Sequence, residues 1–317
     1  MSIYKNPPII FCHYGNNFYL NTSTYLASIS NNKTTKIFLG DHSNKYIAQK
    51  HNWEFYFFKD LDCDLEKKFT NTFQNIYKGN KPIKGGRNWL EFVFLRWFKV
   101  YAYCKNNNIN YFWHFDSDVI ILKDLSSFAK EIVGNYKYTK LCHGSCLGGL
   151  VSIEILEKYL DFICNFFSNN CLLSESKRFI EKSPNGYTIN EMYVFQKAEE
   201  EGILRNGINL SRYFADMHFD SALCHSEGFE TLKYNLFFRN NLKNISYDGQ
   251  DFFGKIKGRR VNFVILNLSW LPPYFSNFIM KTFVQNKPKK INTFLLNLSW
   301  IRQKFLSLIR IIMDRKQ

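Results

Sequence analysis

Tyr111-Phe112-Trp113-His114-Phe115-Asp116-Ser117-Asp118-Val119-Ile120-Ile121-Leu122 is the stretch on which the reading of this sequence turns. Its first five residues are bulky and mostly apolar, which by length and composition predicts a buried strand. The strand ends on two carboxylates one residue apart, and a second apolar run follows at once. Carboxylates next to strand residues are poorly solvated unless something positive meets them, and two so close together repel each other. A hard divalent cation with oxygen ligands, Mn2+ or Mg2+, resolves both problems. Such an ion binds one or two carboxylates and keeps places for substrate phosphates, and a departing diphosphate needs the same neutralisation. The plain alternative is a turn with both acids in water.

Working outward, residues 88–105 predict a helix, with Trp89, Phe92, Val93, Arg96, Trp97 and Val100 at three–four spacing. Further upstream, Ile9-Ile10-Phe11-Cys12 reads as a first strand entering a turn at His13-Tyr14-Gly15-Asn16. Residues 19–30 read as a helix, Lys36-Ile37-Phe38-Leu39 as a second strand ending at Gly40-Asp41, and residues 53–58 as a third. Strand, helix, strand in this order predicts an α/β fold with a largely parallel sheet and helices on both faces. Downstream, residues 144–149 (Gly144-Ser145-Cys146-Leu147-Gly148-Gly149) read as a flexible segment, 153–167 as a helix, 174–186 as a surface loop and 188–202 as a helix closed by Gly202. Residues 252–254 and 261–266 read as late strands.

The chain has 317 residues, 45% hydrophobic and 18% aromatic, which excludes a disordered polypeptide. Its net charge of +15 points to an anionic partner: nucleic acid, a lipid headgroup surface or a phosphorylated substrate. No helix-turn-helix, zinc-finger or aromatic RNA-binding signature accompanies the charge, so nucleic acid is not expected. None of the eight cysteines forms a C-x-x-C pair and several sit in apolar runs, which suits buried thiols in a reducing compartment. Cys142 and Cys146 with His143 are the one thiol grouping that suggests zinc, at an unusual spacing. No signal peptide and no membrane-spanning run is read, so a cytoplasmic protein is expected. After the basic linker of residues 287–290, Ile291, Phe294, Leu298, Ile301, Phe305, Leu308 and Ile312 form one helical stripe, decorated by Lys304, Arg310, Arg315 and Lys316. The stripe predicts either a helix docked on the core or an interfacial helix on an anionic membrane.

With its D-x-D at a strand end, the sequence resembles the GT-A family of glycosyltransferases over roughly residues 7–270. The resemblance implies a GT-A-like, Rossmann-type mixed sheet flanked by helices in residues 1–286, to which the apolar stripe adds a basic amphipathic helical tail in 287–317. It implies Mn2+ or Mg2+ as cofactor, a nucleoside-diphosphate sugar as donor and a glycan or lipid-linked acceptor. By position, His13, Tyr14, Gly15 and Asp41 would meet the nucleoside, and Arg96, Asp116 and Ser117 the donor. Asp116, Asp118 and Asn267 would ligate the metal, with Asn267 standing where many members carry His; His218 or His225 are alternatives. Gly148, Gly149 and Asn190 would face acceptor and sugar. Glu191 is the candidate general base or sugar-facing carboxylate, its plain alternative being an exposed acid at a helix start. Arg96 would pair with Asp116 or with a phosphate, its plain alternative being a surface arginine. The expected activity is a hexosyltransferase-like enzyme of bacterial surface polysaccharide synthesis, peripheral on the inner face of the membrane. The competing reading is a non-catalytic basic protein that binds membranes or nucleic acid.

Overall fold

A computed structural model describes residues 6–79, 83–84, 87–184, 186–233 and 241–314, and side chains for all of these except 83–84, 87–88 and 307–314. Numbered along the chain, the strands are β1 (Ile9–Cys12), β2 (Lys36–Gly40), β3 (Glu54–Phe57), β4 (Ile83–Lys84), β5 (Arg87–Asn88), β6 (Tyr111–His114), β7 (Val119–Ile121), β8 (Tyr138–Leu141), β9 (Cys146–Ser152), β10 (Gly207–Asn209), β11 (Met217–Phe219), β12 (Ser246–Tyr247), β13 (Phe252–Ile256), β14 (Arg259–Asn267) and β15 (Lys289–Lys290). The helices are α1 (Leu20–Ser30), α2 (Lys45–Lys50), α3 (Asp64–Thr72), α4 (Trp89–Asn106), α5 (Ser126–Val133), α6 (Ile153–Ser168), α7 (Asn170–Lys182), α8 (Glu191–Glu200), α9 (Pro273–Gln285) and α10 (Thr293–Asp314).

The chain divides into two compact units. The first comprises Met1–Asn16, Lys33–Asp116 and Leu125–Leu210; the second comprises Asn17–Asn32, Ser117–Asp124 and Ser211–Gln317. The first unit carries a seven-stranded sheet in the order β10-β8-β9-β6-β1-β2-β3. Strands β3, β2, β1 and β6 run parallel, with Ile10 of β1 opposite Ile37 of β2 and His114 of β6. That is the 3-2-1-4 order of a Rossmann-type half sheet. Beyond β6 the direction reverses, because β9 is antiparallel to both β6 and β8. The expected α/β mixed sheet flanked by helices is therefore the architecture found, with α4, α6 and α8 packed on its strands. The fully buried strands read as continuous apolar runs, as parallel strands covered on both faces should. Phe69 of α3, Phe94 and Phe98 of α4 and Phe167 of α6 form an aromatic knot with ring centroids 5.0–5.7 Å apart. Each such pair contributes about 1 kcal/mol beyond area burial, so part of the phenylalanine surplus is core.

Three expectations in this unit need correction. Residues 174–186, read as a loop, lie largely in α7. Leu173, Ser176 and Ile180 recur at three–four spacing and are buried, while Asn169 caps the helix by accepting from Cys171 N and Leu172 N at 2.9 and 3.2 Å. The polar outer face concealed this narrow stripe. The helix read over 188–202 begins only at Glu191, where Asn190 caps it. The segment 144–149, read as flexible, runs into β9, and Gly148 and Gly149 are buried within that strand. A Cβ on Gly149 would stand 2.3 Å from Thr139 Oγ1 and 2.6 Å from Leu210 Cδ1, and one on Gly148 2.9 Å from Leu141 Cδ1. Close packing against β8, not mobility, is what these glycines allow.

The second unit is built on β14, which pairs with β11 in parallel and with β13 and β7 antiparallel; β12 and β15 extend the sheet beyond β13. Leu26, Ile120, Phe263, Leu266, Phe275 and Ile279 belong to its core. The basic linker is part of this sheet, since Lys289 and Lys290 pair with Tyr247 and Ser246. Ile291, read as the start of the tail stripe, is 8% exposed, and Leu296 is 1% exposed, both in that core. From Phe294 on, the stripe faces water: Phe294, Leu298, Ile301 and Phe305 are 47–70% exposed. Leu308, Ile312, Arg310, Arg315 and Lys316 lie outside the described side chains. Among the described residues no helix is long and apolar enough to cross a membrane.

Candidate functional site

Ligands of open α/β sheets bind beyond the carboxyl ends of the parallel strands, and in the first unit His13, Tyr14, Gly15, Asp41 and Asp116 follow those ends. The loop after β1, His13-Tyr14-Gly15, is tied to the loop after β2. Asp41 accepts from Gly15 N at 2.8 Å, and Asn44 Nδ2 donates to Gly15 O at 2.6 Å. Gly15 has φ +79°, and no atom lies within 4 Å of where its Cβ would be, so glycine serves the turn and leaves open space. Burial tends to raise the Asp41 carboxyl. Hydrogen bonds from Ser43 and from Gly15 N more than offset that and hold it below the usual carboxylate range.

Arg96, midway along α4, is the organising charge. Its side chain is only 11% exposed, so it is no surface arginine. One guanidinium nitrogen holds Asp116, just past β6, and the other reaches Glu191 Oε1 at 3.0 Å. Asp116 is half-exposed at 50%, whereas Glu191 is 12% exposed. Glu191 starts α8, as its plain alternative supposed, yet it is buried. Burial pushes its carboxyl up to about 7, with Arg96 pulling down and Asp116 adding to the rise. Its backbone carbonyl accepts from Tyr159 Oη at 2.7 Å, and its Oε2 has no hydrogen-bond partner among the described residues. Asn190 accepts from Met192 N and Tyr193 N, so its amide oxygen serves the helix cap.

His114, the last residue of β6, was not singled out by sequence. It is 2% exposed, its Nδ1 lies 3.0 Å from Ile10 O, and the Trp97 ring packs on it edge-on at 4.5 Å. Burial, then the charge of Arg96, pushes it down to about 4, so it is neutral at pH 7. Nδ1 therefore carries the proton toward Ile10 O. Nε2 is left as a buried acceptor with no hydrogen-bond partner among the described residues. The only early signal was a polar ring inside an otherwise apolar strand.

In the second unit Asp118 leads into β7. Its backbone carbonyl accepts from Leu268 N at 3.1 Å and its Oδ2 from Ser269 Oγ at 3.0 Å. Asn267, expected as a ligand, has its oxygen on Ser269 N at 2.8 Å and its amide nitrogen on Ser221 O at 2.8 Å. The side chain from this strand end that reaches Asp118 is Ser269. Ser117 is 5% exposed.

Among the described residues, three potential metal ligands gather only at His218, Asp220 and Glu227. The buried ammonium of Lys243 already lies between the two acids, bonded to both. Cys142, His143 and Cys146 do not form such a group among the described residues. The D-x-D donors are a different set. Asp116 and Asp118 each offer hard oxygen donors. That donor chemistry fits Mn2+ or Mg2+.

No protein-family model and no curated protein matches the chain. In structure it is similar to mouse xyloside xylosyltransferase 1 in its apo form, with a TM-score of 0.42 and 8% identity, covering 62% of this chain and 83% of that one. It is also similar to the glycosyltransferase GlyE of Streptococcus pneumoniae TIGR4, with a TM-score of 0.34, 14% identity and coverage of 65% and 45%. A third similarity is to the galactosyltransferase LgtC in complex with donor and acceptor sugar analogues, with a TM-score of 0.34, 13% identity and coverage of 66% and 75%.

Proposed function

We propose that this chain is a glycosyltransferase that takes a hexose from a nucleoside diphosphate and passes it to a glycan or lipid-linked acceptor in bacterial surface polysaccharide synthesis. The observation that carries the reading is the buried Arg96 fork, with Asp116 on one nitrogen and the raised carboxyl of Glu191 on the other. A carboxyl poised near neutrality suits a general base, and Glu191 Oε2 is the atom we assign to receive the acceptor hydroxyl proton. Arg96 fixes the rotamers of both acids and offsets part of their charge. The joined loops His13-Tyr14-Gly15 and Asp41-Asn44 form a preorganised ledge for the nucleoside, with open space at Gly15. Gly148, Gly149 and Asn190 would face acceptor and sugar, and Ser117 the donor. Asp116 and Asp118 would hold Mn2+ or Mg2+, with Asn267 a more distant supporter; a bound cation neutralises the diphosphate as it leaves. The exposed stripe of α10 would seat the enzyme on the inner face of an anionic membrane, close to a lipid-linked acceptor.

The test is calorimetric titration with nucleoside diphosphates with and without Mn2+, followed by a screen of nucleotide-sugar hydrolysis. Heat that depends on Mn2+, and hydrolysis lost in Asp118→Ala at unchanged melting temperature, is the expected result. A flat titration in both conditions, alongside binding to anionic vesicles, would instead make the chain a non-catalytic membrane-binding protein.

A further inference from the structure

One buried charge has no part in that scheme. Lys243 is 0% exposed, and its ammonium bonds Asp220 Oδ1, Glu227 Oε2 and, at 3.1 Å, Ala222 O. Glu227 also meets His218 Nε2 at 3.2 Å. A lysine in so dry a place is held there only by its partners, because an unpaired ammonium would lose its proton or unfold the site. The Asp220 carboxylate has a second oxygen, and Oδ2 accepts from Asn267 N at 2.9 Å. Asn267 Oδ1 in turn accepts from Ser269 N at 2.8 Å, and Ser269 Oγ donates to Asp118 Oδ2 at 3.0 Å. Next to these, Leu268 N donates to the Asp118 carbonyl. Every member of this chain belongs to the second unit.

We infer that Lys243 is a positioning residue for Asp118, a fixed internal cation that orders the metal-binding carboxylate through Asp220, Asn267 and Ser269. The inference rests on the glycosyltransferase reading for the purpose of that order, not for the order itself. Its logic is that of the outer partners of metal ligands, which fix a ligand's rotamer and so its affinity. A carboxylate free to rotate must be ordered when the ion binds, whereas one held by Ser269 is ordered beforehand. The serine hydroxyl also leaves the charge on Asp118, which a direct lysine contact would cancel. Placing the ammonium three residues away in the bonding chain supplies rigidity without competing for the ion.

Two measurements test this on the full chain, neither requiring turnover. The first is amide hydrogen exchange of wild type and Lys243→Met. The Asn267, Leu268 and Ser269 amides should exchange roughly tenfold faster or more in the variant, with β13 and the first half of β14 unchanged. Unchanged protection of those three amides, or uniform loosening of the whole unit, overturns the inference. The second is Mn2+ affinity by calorimetry for wild type and Ser269→Ala, a variant that keeps the buried ion pairs and so stays folded even if Lys243→Met unfolds. About tenfold weaker Mn2+ binding is expected, and equal affinity overturns the link from Ser269 to Asp118. Wild type that takes up no Mn2+ at all would sink the metal-dependent enzyme, while the exchange result would still decide whether Lys243 orders this segment.

Discussion

A buried glutamate whose carboxyl titrates near neutrality makes the folded chain a better proton binder than the unfolded one. Glu191 rises from an unfolded value of about 4.3 to about 7. The native state therefore carries more protons between those limits, and stability falls as pH climbs through that window. The contribution is fully present below about pH 4 and lost above about pH 7, on the order of 3 kcal/mol across the span. Denaturant melts of wild type and Glu191→Gln at pH 5 and pH 8 should show it. Wild type loses stability relative to the glutamine variant as pH rises, and parallel curves would refute the buried-acid account. Over a slightly higher range kcat/KM should climb with a midpoint near pH 7 and level off above about pH 8 in wild type, since the base must be ionised, and stay low and flat in Glu191→Gln. Arg96→Ala should cost about 2 kcal/mol, less than the usual penalty for halving a buried ion pair. Asp116 is half-exposed and rehydrates, and Glu191, freed of Arg96, takes a proton instead of remaining a bare charge. The variant should nonetheless lose nucleotide-dependent stabilisation in a thermal shift, because the fork that orders both acids is gone.

At the level of elements, two glycines at positive φ separate packing from conformational need. Gly149, at φ +82°, is crowded by Thr139 and Leu210, so Gly149→Ala combines left-handed strain with overpacking and should cost about 3 kcal/mol. Gly15, at φ +79° with open space around it, should cost only about 1 kcal/mol as alanine. Urea melts of the two variants check the contrast, and equal losses would show that Gly149 is not pinned between β8 and the chain at Leu210. These elements also mark what was legible in the sequence. Apolar runs and three–four spacing gave β1, β2, β3, β6, α1, α4 and α6, since a period of 2 or 3.6 is written locally. The α7 helix escaped because its stripe includes Ser176, buried for its small size and not for hydrophobicity. The Asp116, Asp118, Glu191 and Arg96 positions were legible as types. The pairing of Arg96 with Asp116 was among the expectations, but that Glu191 joins those two in one fork came only with the fold, since Arg96 and Glu191 are 95 residues apart. Lys243 and Ser269 were not legible at all. A lysine between Leu242 and Asn244 looks like a surface residue until Asp220 and Glu227 are brought to it from elsewhere in the chain.

For the molecule as a whole, the +15 charge and the open stripe of α10 belong to one argument. A soluble helix normally buries its apolar face, yet Phe294 is 70% exposed, Ile301 53% and Phe305 63%, with Arg302 and Lys304 beside them in water. Each basic residue near an anionic surface contributes about 1 kcal/mol, and the apolar side chains add to this on insertion. Where the tail is cut then matters. Removing residues 288–317 takes away the β15 pairing and the buried Ile291 and Leu296, which should cost about 3 kcal/mol and lower Tm by roughly 5–10 °C. Removing only residues 298–317 spares those contacts and should leave Tm within about 2 °C while abolishing cosedimentation with anionic vesicles. The double substitution Ile301→Glu with Phe305→Glu should do the same without shortening the chain, and wild-type binding should weaken as salt is raised. If the 298–317 deletion melts as low as the longer one, the stripe is a packing surface of the fold, and the membrane assignment of this helix fails.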